Sequence, residues 1–382
     1  MPYNIDPKQE AAREKAKEFC EKEVVPIAKD LDRRPEPQVF PKDFFKKLGD
    51  AGFIGYAFPK EYGGGGYSNL EYATLMEELA YYDPPTCLLA AVQELAAYPI
   101  IAFGNEEQKK KYLPPAAKGE TVLSFVLTEP EAGSDAANQK ASAVPEGDHY
   151  ILNGEKIFIM HGDVCDTGVV FCRIQEEGVR DKVSAIIVDM DSPGIEQKTL
   201  EYKMGMKAAT TGRIWFKDVK VPKQNLLGEP GKGFRYAMQT LDGARIGVAA
   251  QGVGICQRAL DESISYAKKR VQFGSPIAKL QAIQWKIADM STQVEAARLL
   301  TYKAAVLQDE GKRFSLEACH AKLFASEAAH FCVDEALQIH GGYGFIEEFS
   351  IIGKLYRDQR VTEIYEGTSE IQRLVIASSL LR

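Results

Sequence analysis

The chain has 382 residues, 45% of them hydrophobic and 26% charged, with a net charge of −7 and a pI near 5.5. That length suits two or three domains, and the composition is that of an ordinary folded protein rather than a disordered one. The acidic balance argues against general nucleic-acid binding, yet leaves room for a local basic cleft around a phosphorylated ligand.

No apolar run approaches the roughly 18 residues of a membrane span. Met1-Pro2-Tyr3-Asn4-Ile5-Asp6 lacks the basic-then-apolar pattern of a signal peptide, so a cytoplasmic location is expected. The seven cysteines (20, 87, 165, 172, 256, 319, 332) form no CxxC pair. They read as reduced core residues, with no metal site and no disulfide framework.

The first ~115 residues read as helical. Gln9 to Lys29 is periodic and charged. Pro41 to Ala51 opens with a good first turn, and Ser68 to Tyr82 starts with a candidate cap at Ser68. Gly63 to Gly66 mark a loop without the GK[ST] ending of a P-loop. From about 121 to 225 the pattern turns strand-like. Val122 to Leu127, Val169 to Arg173, Val183 to Met190 and Arg213 to Val221 are candidate strands, and Asn153-Gly154 predicts a hairpin between Tyr150–Leu152 and Glu155–Ile159. Phe234 to Arg270, Pro276 to Gly311 and Ser315 to Ile339 then read as long helices, with a shorter one at the C-terminus, which suits an antiparallel bundle. The order helical, β, helical excludes a doubly wound α/β sheet. The expected domains are 1–120, 121–228 and 229–382.

Five segments carry candidate chemistry. Leu127-Thr128-Glu129-Pro130-Glu131-Ala132-Gly133-Ser134-Asp135 gathers polar atoms in a turn after a strand, either as a plain connection or as a cradle for a heterocycle. Asp242 and Arg245 sit one turn apart, as a surface pair or as a pair facing a cleft. Lys268-Lys269-Arg270-Val271-Gln272-Phe273-Gly274 ends a helix with cations and a glycine stop, which complements the helix dipole or binds a pyrophosphate. Gln338-Ile339-His340-Gly341-Gly342-Tyr343-Gly344 breaks another helix with glycines that let a ligand approach the backbone; His340 itself has an ordinary role.

The fifth is Ile364-Tyr365-Glu366-Gly367-Thr368-Ser369-Glu370-Ile371-Gln372. Thr368 or Ser369 can cap the following helix, Glu370 suits its first turn, and Ile371, Leu374, Val375 and Leu381 form an apolar stripe. Glu366, between an aromatic and a glycine, is either a surface loop residue or a poorly solvated carboxylate able to act as a base.

Together these segments resemble the acyl-CoA dehydrogenase family over nearly the whole chain, most specifically at Leu127–Asp135 and Gln338–Gln372. The resemblance implies a mainly α fold with a β middle domain: an N-terminal helical domain, a small β-barrel domain and a C-terminal four-helix bundle. It implies FAD, an acyl-CoA substrate, an electron-transfer flavoprotein as partner and a homotetramer built as a dimer of dimers. Glu366 matches the base that removes the α-proton of the thioester while a β-hydride passes to the flavin, giving a 2-enoyl-CoA. Phe125, Leu127, Thr128, Ser134, Phe158, Met160, Thr368 and Glu370 match cofactor contacts. Arg270, Phe273, Gln338 and Gly342 match positions that grip the FAD pyrophosphate and adenosine from a neighbouring subunit. Ser134, Leu95, Asp242, Arg245, Tyr365 and Gly367 match the substrate side. Ala244 occupies the position where some members carry the base instead, which favours Glu366.

Three features refine the expectation. Phe158-Ile159-Met160 replaces the family's Trp-Ile-Thr over the flavin, so a hydroxyl near flavin N5 is lost. Leu88 to Tyr98 has no arginine for a dicarboxylate. Ala90 and Ala91 leave room for a wider acyl group, so a short-to-medium, branched or alicyclic substrate is expected, and a buried Glu94 in that stretch needs a partner or contacts substrate. A reductase or an oxidase of the same fold, or a non-catalytic flavoprotein module, are the alternatives.

Overall fold

A computed structural model describes residues 7–381. Local signals set its first helices. α1 (Pro7–Phe19) starts at a proline and passes through a wide turn at Cys20–Val24 into α2 (Val25–Arg33); α3 spans Lys42–Asp50. α4 (Asn69–Tyr82) opens with a full capping box: the Glu71 N–H donates to Ser68 Oγ (3.2 Å), and the Ser68 N–H donates to the Glu71 carboxylate (2.9 Å). α5 (Pro84–Phe103) is capped by Asp83, whose Oδ2 accepts from the Thr86 N–H (3.0 Å); α6 spans Glu106–Ala117. α5 corrects one expectation. Its best 18-residue window has a mean hydropathy of 1.6, enough by length and composition to cross a membrane, because Gln93 and Glu94 interrupt the run without outweighing it. Two-thirds of that stretch is buried among neighbouring helices, as befits a core helix.

The sheet follows: β1 (Leu123–Val126), β2 (Ser142–Glu146), β3 (His149–Met160), β4 (Thr167–Ile174), β5 (Lys182–Asp189), β6 (Ile195–Thr199), β7 (Thr211–Pro222) and β8 (Leu226–Leu227). Hydrogen bonding runs β6-β7-β3-β2-β4-β5-β8, with β1 parallel to β4 beyond the end of β2. The expected hairpin at Asn153-Gly154 does not form. β3 runs straight through it as one strand against β7, with a register shift between Leu152 and Gly154. Asn153 bonds across the strands instead: its Nδ2 donates to Asp218 Oδ1 (3.1 Å), and its Oδ1 accepts from the Asp218 N–H (2.9 Å). Gly154 is there for space, since a Cβ at that position would lie 2.5 Å from the Cβ of Ala141. The tight turn sits one strand earlier, where Gly147-Asp148 joins Glu146 to its partner His149.

α7 (Gly233–Lys269), α8 (Gln281–Asp309) and α9 (Ser315–His340) form the bundle, followed by α10 (Gly342–Phe345), α11 (Ile352–Gln359) and α12 (Ser369–Leu380). α7 packs on α8 and α9 and also on α4 and α5, tying the two helical regions together. Its glycines allow that closeness: a Cβ at Gly254 would lie 2.1 Å from the Glu77 carbonyl oxygen of α4. The helix expected from Pro276 begins later, at Gln281. Pro276 closes a small hairpin, β9 (Val271–Gln272) with β10 (Ser275–Pro276), and Phe273-Gly274 is its turn, with φ of 53° and 79°. Gly274 is thus a hairpin residue rather than a helix stop. The apolar stripe of α12 is also unburied within the chain: Leu374 and Leu381 are exposed, and the helix buries Ser369 and Gln372 instead. All seven cysteines are buried and unpaired.

Candidate functional site

Glu366 lies in the short loop between α11 and α12, in left-handed backbone at φ 53°. A residue with a Cβ adopts that conformation only when its surroundings hold it there. Buried donors do so by gripping the loop carbonyls. Lys322 Nζ donates to the Gly367 oxygen (2.7 Å), Gln372 Nε2 donates to the Gly367 oxygen (2.8 Å) and the Glu366 oxygen (3.2 Å), and Arg245 Nε reaches the Glu366 oxygen (3.4 Å). The Thr368 hydroxyl caps α12 by accepting from the Ile371 N–H (3.3 Å). On the other side the Tyr365 hydroxyl donates to Gln251 Oε1, and Gln251 Nε2 donates to the Pro84 carbonyl (3.0 Å).

The Asp242–Arg245 pair is internal, not a surface pair. Arg245 is 4% exposed; its Nη1 donates to Asp242 Oδ1 (2.6 Å), and Asp242 Oδ2 accepts from the Ser315 hydroxyl (2.6 Å).

Beside this loop lies a cavity of about 90 Å³ between α4, α5 and α7, walled by Tyr72, Leu88, Ala91, Leu95, Tyr98, Gly247, Tyr365 and Glu366 among others. Glu366 keeps some accessible surface, but that surface is cavity wall rather than open solvent. Burial therefore raises its carboxyl, the Lys322 and Arg245 cations pull it back, and it settles at about 6. Lys322 responds in kind: burial lowers its ammonium to about 8 against the opposing charge of Glu366.

The room expected from Ala90 and Ala91 is not there. Ala90 is fully buried away from the cavity, and the space beside Ala91 is bounded by Tyr72 and Tyr98. The Tyr72 hydroxyl would sit 3.0 Å from a Cβ at Gly247, filling the gap that glycine leaves.

Leu95, Tyr365 and Glu366 thus meet at one cavity, with Asp242, Arg245, Gly367 and Thr368 directly behind it and Glu370 exposed at the start of α12. A second group gathers on the sheet. Phe125 packs against Phe171 (4.7 Å between ring centroids), the Thr128 carbonyl accepts from the Ile157 N–H (3.0 Å), and Met160 Sδ accepts from the Thr211 hydroxyl (3.2 Å). Ser134 is exposed, and Phe158, left-handed at φ 57°, presents a ring that is 66% exposed. The turn after Leu127 is pinned from beneath by Lys156, whose buried Nζ donates to the Leu127 carbonyl (2.7 Å), Glu129 Oε1 (2.8 Å) and Gln139 Oε1 (2.9 Å).

The third group is elsewhere. Arg270 and Gly342 line an open cleft of about 450 Å³ where α7 and α9 end; Arg270 stacks over Tyr343 (5.2 Å), Phe273 is 93% exposed and Gln338 is exposed. Along α7, Arg270 lies 25 residues beyond Arg245, roughly 37 Å at 1.5 Å per residue. His340 has the ordinary role expected of it: its ring stacks on Tyr266 (4.3 Å), and Nδ1 lies 2.8 Å from the Ala336 carbonyl.

Sequence reasoning missed Lys322, Gln372, Gln251 and Lys156. Lys322 had a signal: it is a lone cation on the face of α9 that also carries the buried Ala318, Ala325 and Ala329.

Three family descriptions match this chain: acyl-CoA dehydrogenase N-terminal domain over residues 6–120, middle domain over 124–219 and C-terminal domain over 231–381. The chain is 47% identical to a 3-(aryl)acrylate reductase of Clostridium sporogenes, over 98% of each chain. It is 45% identical to a subunit of the caffeyl-CoA reductase-Etf complex of Acetobacterium woodii, over 97% of each. The solved structure of butyryl-CoA dehydrogenase from Megasphaera elsdenii superposes with a TM-score of 0.94 at 42% identity, over the full length of both chains.

Proposed function

The chain belongs to the acyl-CoA dehydrogenase family, and from that premise we propose that it interconverts a short acyl-CoA thioester and its 2-enoyl-CoA, with Glu366 moving the α-proton. The observation that carries this reading is Glu366 itself, a carboxylate in the wall of a small apolar cavity, held in left-handed backbone and with its pKa raised to about 6. A base of that strength is matched to proton transfer near neutral pH.

The cofactor is FAD, and it supplies the acceptor for the hydrogen that leaves Cβ with its electron pair. The residues present suit it. Phe158 offers an exposed aromatic face beside Thr128 and Met160, and buried polar atoms at the start of α12 (Ser369 Oγ, Gln372 Oε1) and at the end of α11 (Gln359 Oε1 and Nε2) have no partner among the described residues. Arg270, Phe273, Gln338 and Gly342 would hold the phosphate and adenosine end. At roughly 37 Å from Arg245 along α7, they would do so for a neighbouring copy, which favours the homotetramer. We assign the electron-transfer flavoprotein as the redox partner by likeness to the Etf-complex relative.

The tyrosines that wall the cavity, Tyr72 and Tyr98, support a short acyl chain. Within the cavity Glu366 takes the α-proton; Lys322, Gln372 and Arg245 hold its backbone in place, and the apolar walls keep water from competing. Two similar proteins are named as reductases, so the same proton transfer run in reverse is the second reading, in which protonated Glu366 returns the proton to Cα.

Anaerobic addition of butyryl-CoA to the purified yellow protein should bleach the flavin. Glu366→Gln should keep the flavin spectrum and lose the bleaching. Bleaching at the wild-type rate in that variant would remove Glu366 from the role.

A further inference from the structure

The cavity holds a second carboxyl group that proton transfer does not use. Glu94 stands on α5, an otherwise apolar helix, and lines the same cavity as Glu366. Its Oε1 accepts from the Ala57 N–H (3.1 Å), and the Tyr56 N–H also points at it. No cation contacts it among the described residues. Burial raises its carboxyl to about 8, with the two backbone donors pulling the other way.

Such a group is costly to keep. An unpaired buried acid destabilises the fold, and an apolar residue here would fill the cavity wall without that cost. Leu88, Val92 and Leu95 show that the same helix supplies apolar residues readily. Near neutral pH the group is mostly protonated, so it can donate one hydrogen bond and accept another. A neutral hydroxyl matches that pair of capacities. A substrate carboxylate does not, because it would share a cavity with Glu366 and with Glu94, and no arginine or lysine among the described residues lines the cavity.

We propose that Glu94 selects acyl-CoA thioesters whose short acyl chain carries a neutral hydroxyl group beyond Cβ, by hydrogen-bonding that hydroxyl inside the cavity. This deepens the acyl-CoA reading above and rests on it. Sites built to bond a substrate hydroxyl discriminate strongly against analogues that lack it, because their own polar groups are then left unpaired.

The test measures anaerobic flavin reduction by butyryl-CoA, 4-hydroxybutyryl-CoA, 5-hydroxypentanoyl-CoA and glutaryl-CoA. The wild type should favour one of the two hydroxyacyl thioesters over butyryl-CoA in kcat/KM and leave glutaryl-CoA the poorest. Glu94→Leu should shift the hydroxyacyl-to-butyryl ratio by about a hundredfold toward butyryl-CoA. Glu94→Gln, which keeps the shape and the hydrogen-bonding capacity, should shift it much less. An unchanged ratio in Glu94→Leu, or a wild-type preference for butyryl-CoA over both hydroxyacyl thioesters, overturns the proposal. Failure of every thioester to reduce the wild-type flavin would instead overturn the acyl-CoA reading beneath it. Should Glu94→Leu not fold, Glu94→Gln and the wild-type ranking decide.

Discussion

Among the places where this molecule withdraws carboxyl groups from solvent, two differ sharply in how those groups are paired. Where α5 begins, Asp83 and Asp358 are buried, but Lys354 lies between them, its Nζ 2.7 Å from Asp83 Oδ1 and 2.6 Å from Asp358 Oδ2. Burial alone would lower that ammonium's pKa; the two carboxylates outweigh it and hold it well above the ordinary lysine range. In the cavity, the carboxyl groups of Glu366 and Glu94 have no ion-pair partner among the described residues, and both are pushed upward by burial; burial raises Asp358 as well, but there Lys354 in direct contact opposes it. Paired acids fasten one element to another. Acids left short of a partner keep their proton chemistry within reach of neutral pH.

Breaking the paired cluster should produce the largest effect. Lys354→Met strands two buried carboxylates and should cost about 3–5 kcal/mol, seen as a large fall in denaturant midpoint; adding Asp358→Asn should recover part of it. Removing the unpaired acid should act on chemistry instead. Glu366→Gln should lower kcat/KM for butyryl-CoA by about 10²–10⁴-fold, measured by stopped-flow flavin reduction.

The same variant should be more stable than the wild type, which is the sharpest contrast between the two places. The folded pKa of Glu366 is about 6 against an ordinary 4.5, so the folded state prefers the protonated form. Ionising the carboxyl costs about 2 kcal/mol, fully present above pH 6 and absent below pH 4.5. Glu366→Gln should therefore melt higher at pH 7.5, and the gap should close as the pH falls through that window.

A smaller effect tests the cations behind the base. Oxidation of butyryl-CoA needs ionised Glu366, so kcat/KM should fall about tenfold per pH unit below 6 and level off above it; reduction of the enoyl-CoA should show the mirror profile. Lys322→Met should move that break upward by about one unit, whereas Lys322→Arg should leave it close to 6. An unmoved break in Lys322→Met would mean that the lysine serves only to hold the loop.

What was legible in the sequence is what local chemistry decides. Ser68 and Thr368 cap helices because their partners lie three residues away, and Glu366 stood out because its neighbours in the chain are also its neighbours in space. The errors lie where distant residues overrule local preference. Asn153-Gly154 has the composition of a turn, yet Asp218 from another strand claims the asparagine side chain. Where local spacing left two readings open, as at Asp242 and Arg245, the distant Ser315 and the Glu366 loop select the internal one. Alanines at 90 and 91 suggested width, but Ala90 lies outside the cavity and Tyr72, from a different helix, helps to wall it beside Ala91.

The contact at Gly254 carries a last consequence. α4 and α7 touch backbone to backbone there, and such a seam cannot slide or breathe the way one cushioned by long side chains can. Tyr72 and Gly247, one from each helix, meet in the cavity wall along the same pair of helices. The gauge of the acyl compartment is therefore cast when the chain folds, not adjusted when a substrate arrives, and changing which thioesters fit should take recutting its side chains one by one.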